Sequence, residues 1–392
     1  MPGLPLPIHR ARRLVPVTFR RATTGAPMAE RPDLDERGFG GPERGPLVAV
    51  CQNERIIVEV VRQHLKSDAP LFATSSAPGV AAVDGAAQLG PGAVTQVKVR
   101  GVAGGNPATA RIQIRYGSAG GPVLAQLGVW VYRPITLRIK PHLVKITTAA
   151  NAAAVPPVPP VAPTRRPEEV LTGVQSIWKP FGINFTLLST VEHTFQTAIA
   201  GAATWGPDIG NLFATFNPPA APAGGGPAPA ALPKTIHVYF AHHVLGTAGE
   251  GYFGLGIAPG QVAAHAYDAA GITTPGIIVA DEARGAYALD NQLQSAMLAH
   301  EIGHFLMLWH PEKQDAGHQR QDLWSRRMLM YPTIPPTTFG NWLDKLGYGT
   351  FRIPAPWNKD APRNGALITM KDLSQLITDG EATTARTAAD AF

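Results

Sequence analysis

The rhythm of apolar and polar positions changes along the chain, and the changes predict its elements. Residues 1–45 show no period and are rich in proline, glycine and arginine, which predicts a disordered tail. Two apolar runs follow, Leu47 to Cys51 and Ile56 to Val61. From about residue 70 to 134, short alternating stretches recur between turn signals. Val94 to Arg100 alternates strictly, Ala110 to Tyr116 alternates again, and Val123 to Tyr132 returns after a glycine-rich turn. A period of two marks strands with one buried face, and their regular spacing predicts a small all-β sandwich, immunoglobulin-like, over 46–134.

Beyond residue 134 the rhythm is mixed. Ile135 to Lys140 alternates and reads as the first strand of a second domain over 135–392, or else as the last strand of the sandwich. Val170, Leu171, Val174, Ile177 and Trp178 have helical spacing, so a helix is expected from about Pro167 to Lys179, with Thr164 as its cap. Strands are expected at Ile183 to Leu188, Thr235 to Phe240 and Gly276 to Ala280. A second helix is expected from Asn291 to about Leu306, with Leu293, Met297, Leu298, Ile302, Phe305 and Leu306 on its buried side. Pro/Ala/Gly-rich inserts near 149–163 and 217–233 carry no core of their own and read as extended connections. Residues after Asp379 read as a frayed polar end.

The second helix carries the chemistry. His300 and His304 stand four apart, which puts both imidazoles on one face of a helix within reach of one metal ion. Glu301 follows the first histidine, where a carboxylate can approach a metal-bound water. His310 can join the pair only if the chain bends after about Leu306. Three imidazoles leave a fourth position open for water, as catalytic zinc sites do. His318 is an additional candidate ligand on the segment that follows, and His242-His243 are a weaker candidate for a second metal.

The stretch His300 to His310 reads HExxHxxxxxH and resembles the zinc signature of the metzincin metallopeptidases, HExxHxxGxxH. Arg327 to Pro332 resembles their Met-turn. Met330, followed by Tyr331-Pro332, is closest to the form seen in matrixins, with Met328 as the other candidate. Trp178-Lys179-Pro180-Phe181-Gly182-Ile183 followed by Phe185 is similar to the family's first helix and second strand. Gly251 to Gly256 resembles the edge strand on which the family holds an extended substrate. Two departures stand out. Met307 occupies the position of the family glycine, where a Cβ opposes positive φ, and the segment from Pro311 to Leu329 is longer than in matrixins. In gluzincins the third ligand is a downstream glutamate; this chain has no glutamate between Glu312 and Glu381.

The resemblance implies an α/β metzincin-like catalytic domain, a twisted mixed sheet with an active-site helix, preceded by the β-sandwich. It implies one catalytic Zn2+ held by His300, His304 and His310, Glu301 as general base, Met330 beneath the metal, and a protein or peptide substrate. The expected activity is that of a zinc metalloendopeptidase. The alternative is a catalytically silent binding or scaffold protein in which the sandwich holds a partner.

Composition narrows the remaining classes. The net charge of +6 is concentrated in the arginines at positions 10, 12, 13, 20 and 21, and no dense basic patch with aromatics follows, which argues against nucleic-acid binding. No run is long and apolar enough to predict a membrane span. The N-terminus lacks the apolar core of a secretory signal, so the expectation is a cytoplasmic protein or one exported by a non-classical route. The single cysteine, Cys51, permits no intrachain disulfide. The motif that lets an N-terminal cysteine plug the zinc in matrixins is absent around it, so a buried, inert thiol is expected.

Overall fold

The computed structural model describes residues 16–21, 47–204, 206–216, 235–245, 251–252, 254–258, 274–283, 287–288, 291–308 and 379–391. The chain divides into two compact units, Met1–Pro134 and Ile135–Phe392.

The first unit is built from strands β1 (Val17–Arg21), β2 (Leu47–Cys51), β3 (Arg55–Arg62), β4 (Leu71–Ser75), β5 (Ala81–Asp84), β6 (Val94–Gly101), β7 (Ala108–Tyr116) and β8 (Val123–Tyr132). They form two four-stranded sheets, ordered β1-β3-β6-β5 and β2-β8-β7-β4. The alternating apolar residues of both sheets, among them Val58, Val60, Val97 and Val99 from one and Ile112, Ile114, Leu127 and Val129 from the other, meet in a single core. The tail expected to be disordered over residues 1–45 contributes β1. Its Val17 and Phe19 point into this core while Arg20 pairs with Glu59 on the neighbouring strand at 2.5 Å. Cys51 is buried, as an unreactive thiol would be.

The second unit centres on a six-stranded sheet. Its strands are β9 (Ile135–Thr147), β10 (Ile183–Leu187), β11 (Val191–Gln196), β13 (Thr235–Ala241), β16 (Gly254–Ile257) and β17 (Gly276–Ala280). The order is β10-β9-β13-β17-β16, and β11 pairs with the second half of β9. All pairings are parallel except β16 on β17. A parallel strand covered on both faces needs a continuous apolar run, and all five residues of β17 are buried. Pro141, which has no N–H to give, falls in β9 between the stretch that pairs β10 and the stretch that pairs β11. A second, three-stranded sheet joins β12 (Ala202–Thr204), β14 (His243–Leu245) and β15 (Gly251–Tyr252).

Among the described residues five α-helices accompany these strands: α1 (Ala149–Ala153), α2 (Pro167–Trp178), α3 (Pro207–Phe216), α4 (Asn291–Phe305) and α5 (Asp379–Ala391). The Pro/Ala segment expected to be extended opens with α1, capped by the Thr148 hydroxyl, and returns to the sheet where Val161 pairs with Ile146. Arg166 rather than Thr164 precedes α2, which has no side-chain cap. The end expected to fray is α5. Ala382, Ala385 and Ala389 are buried along one side of it, and Arg386, also buried, donates from Nη1 to the Phe181 carbonyl at 2.9 Å.

The expected fold class, an α/β metzincin-like catalytic domain behind a small all-β sandwich, is corrected by this structure. Strands account for 46% of the described residues and helices for 23%, and the strands are spread over several sheets. The physical reason is that period-two and short apolar runs dominate both units, while helical spacing is confined to short stretches. Among the described residues no helix is long and apolar enough to cross a membrane.

Candidate metal centre

Helix α4 is buried on nearly every side: Gln294, Ser295, Met297 to Glu301 and Ile302 are all inaccessible. A helix in that position needs a partner for each polar side chain. Gln294 donates to the Ala280 carbonyl at 3.0 Å and to Asp281 at 3.3 Å. Ser295 donates to the Val170 carbonyl of α2 at 2.7 Å. The two helices touch at Gly173, where a Cβ would lie 2.3 Å from the Ser295 hydroxyl. Trp178, fully buried at the end of α2, donates its indole N–H to the carbonyl of Ala299 at 3.2 Å. The residue before His300 is therefore tied to α2.

His300 and His304 lie on one face of α4 with ring centroids 4.7 Å apart and planes at 89°. The Nδ1 of His304 is 2.9 Å from the carbonyl of Leu308. A carbonyl only accepts, so Nδ1 carries the proton and the neutral ring presents its lone pair at Nε2. Metal-binding histidines are commonly oriented by such a bond on their other nitrogen.

The helix then ends sharply. Met307 has φ 66°, Met307 N–H bonds the His304 carbonyl at 2.9 Å, and Leu308 N–H bonds the Gly303 carbonyl at 2.8 Å. These paired bonds form a Schellman turn with a methionine where glycine is usual. The bend required after Leu306 is thus present, and Met307 makes it in the left-handed conformation that its Cβ opposes.

Glu301 faces the sheet's edge. Antiparallel β16 places Gly254 and Gly256 under it, and a Cβ on Gly254 would stand 2.8 Å from Glu301 Cγ, while one on Gly256 would stand 2.2 Å from the Glu301 carbonyl oxygen. These glycines admit α4 itself. Burial pushes the Glu301 carboxyl up to about 8, and a hydrogen bond from the Gly256 backbone pulls it down in part.

His310, Met330 and His318 lie outside the described residues, as do Met328 and Tyr331. Among the described residues no three His, Cys, Asp or Glu side chains form a group ready to hold a metal. The structure brings together His300, Glu301 and His304 from the expected set. The donor chemistry of the pair, two imidazoles on one face with one tautomer set by Leu308, suits a borderline divalent ion such as zinc. The rings of His242 and His243 lie 4.2 Å apart, tilted by 44°, with His242 Nδ1 3.6 Å from Asp281.

Asp281 escaped the sequence reading. Buried at the end of β17, it accepts from the Thr164 backbone N–H, from the Thr164 hydroxyl at 3.0 Å and from Gln294. It links the approach to α2 with the first turns of α4. Its only signal in the chain was an acid closing an apolar strand.

No family model matches the chain, and no curated protein matches it. Among solved structures, the S-layer protein SbsC domains 4 and 5 match at 22% identity over 22% of this chain and 46% of that one, with a TM-score of 0.17. Domains 5-6 of the same S-layer protein match at 18% identity over 27% of this chain and 52% of that one, also with a TM-score of 0.17. This chain spans about half the length of these structures, and a likeness at that score carries neither fold nor function across.

Proposed function

We propose that the chain is a zinc-dependent endopeptidase whose ion is held by His300, His304 and His310. The observation that carries the reading is the bond from His304 Nδ1 to the Leu308 carbonyl, beside a turn that ends α4 immediately after the histidine pair. It orients the ring as a metal ligand needs, and the turn at Met307 supplies the bend that a third ligand at His310 requires. Bound zinc would lower the pKa of a coordinated water and polarise the scissile carbonyl.

The chain's own residues supply the rest. Glu301, buried next to the pair, takes a proton from the attacking water and returns one to the leaving amine. Gly256 holds its carboxyl by a backbone N–H. Met330 enters only through the resemblance of Arg327 to Pro332 to a Met-turn, which implies a residue that lies beneath the metal without binding it. The substrate is a protein or peptide.

The test is zinc content and cleavage of a mixed peptide library, measured on the full chain and on Glu301→Gln. Cleavage by the wild type that falls by roughly a hundredfold or more in the variant, with zinc retained in both, is the expected result. A wild type that binds no zinc, or a variant as active as the wild type, would refute the proposal.

A further inference from the structure

Three histidines far apart in sequence form a continuous line across the central sheet. His142 on β9 has Nδ1 2.8 Å from Nε2 of His193 on β11, and its Nε2 2.9 Å from Nδ1 of His237 on β13. The registers explain the line. His193 pairs with Val144 and His237 with Lys140, so the three side chains run diagonally over one face of three adjacent strands. Aromatic rings pack around them. Tyr239 stacks on His142 with centroids at 4.5 Å, and Phe213 of α3 stacks on Tyr239 at 4.9 Å. Phe216, the last residue of α3, stacks on His193 at 3.7 Å.

Proton counting restricts what this line can do. Each N···N contact requires one proton, since two bare lone pairs repel and two N–H groups repel. Three neutral imidazoles carry three protons: one in each contact and one on an outer nitrogen. A fourth proton can occupy the other outer nitrogen and leave both contacts intact. A fifth has to enter a contact and set N–H against N–H. A single metal ion does not fit this arrangement, because both nitrogens of His142 are engaged with different neighbours and no one position is shared by all three rings.

We propose that His193, His142 and His237 act as one proton-accepting unit that takes up a single proton intact and is broken by the second, so that acid releases the end of α3 from the sheet. The surroundings favour few protons. Burial, then the neighbouring histidines and Lys140, hold His142 down to about 3; burial and Lys140 hold His237 down to about 4 and lower His193 as well. Lys140, on the same strand as His142, is held by Ser189, its ammonium 2.7 Å from that carbonyl. From α3 the packed residues are aromatic, and its Asp208 is engaged by the Thr204 N–H. On β11, Glu192 is paired with Lys145.

The experiment follows the imidazole nitrogens of the full chain by NMR from pH 8 down to about pH 2.5, below the values to which burial holds His237 and His142, with amide exchange of α3 corrected for intrinsic rates. The three rings should respond together to the first proton, and α3 protection should then fall by about tenfold per pH unit as the second enters. His142→Phe keeps a ring on Tyr239 but removes both contacts; in it α3 protection should lose its pH dependence. Should that variant fail to fold, His193→Gln serves, since its amide donates or accepts without titrating; the loosening should then move to lower pH. Independent titration of the three rings, or equal acid sensitivity of α3 in the wild type and the folded variant, would overturn the proposal. A stoichiometric metal ion lost on substitution would overturn it too.

Discussion

Gly256 lies so close beneath Glu301 that a Cβ added to it would stand 2.2 Å from the Glu301 carbonyl oxygen, a backbone atom that cannot swing aside. The edge strand and the helix bearing the histidine pair are therefore in backbone contact. Gly256→Ala should push α4 away, destabilising the fold by about 1–3 kcal/mol, as overpacked cores do. Zinc retention should fall with it. Denaturant melts with zinc content measured on the folded fraction check this; an unchanged midpoint would show that β16 yields instead.

Met307 makes the helix-ending turn at φ 66° with 36% of its surface exposed. Glycine relieves the left-handed conformation and gives up little burial. Met307→Gly should gain about 1 kcal/mol in equilibrium unfolding, after its greater freedom in the unfolded chain is set against the relief. A loss of stability would mean that Met307 contributes packing the turn depends on.

Asp281, itself buried, accepts from the exposed Thr164 on one side and from the buried Gln294 on the other. Asp281→Ala leaves these donors without their acceptor. The expected cost is about 1–2 kcal/mol, since Gln294 keeps the Ala280 carbonyl and the exposed Thr164 can turn to water. Because Gln294 lies on α4, peptide cleavage and zinc affinity should weaken as well; if only stability changes, the anchor acts on α2 alone.

Stability should also depend on pH through the sheet histidines. His142 and His237 are held well below the usual imidazole value of 6.5 in the folded chain. The unfolded chain then binds more protons across the interval, so stability present above about 6.5 declines as pH falls towards 4 and levels off near 3. Urea midpoints taken through this range should drop in the wild type and drop less in His142→Phe. A flat wild-type profile would contradict the burial of these rings.

What could be read along the chain was what is local. His300 and His304 are neighbours because four residues make one helical turn, and Met307 stood out because a turn there requires positive φ. Asp281 and the histidine line depend on strand order instead. Thr164 reaches Asp281 across 117 residues, and His142 meets partners 51 and 95 residues away. No local period encodes that β9 lies between β11 and β13. The fold class was misjudged for a related reason: a specific metal signature suggested the whole domain, while strand patterns outweighed helical ones. The end of the chain was misread because alanines give a weak apolar rhythm, yet three of them bury one side of α5.

The indole of Trp178 holds the Ala299 carbonyl, and the Gly173 backbone lies against Ser295, so the histidine pair is indexed to α2 across a helix-to-helix joint. Chain length can vary elsewhere without altering that joint. The proline- and alanine-rich stretches at 149–163 and 217–233 enter between β9 and α2 and between α3 and β13, outside the segments that meet at it. The centre is thereby insulated from insertion: lengthening either stretch leaves the spacing of His300, Glu301 and His304 set by one helix and its neighbour.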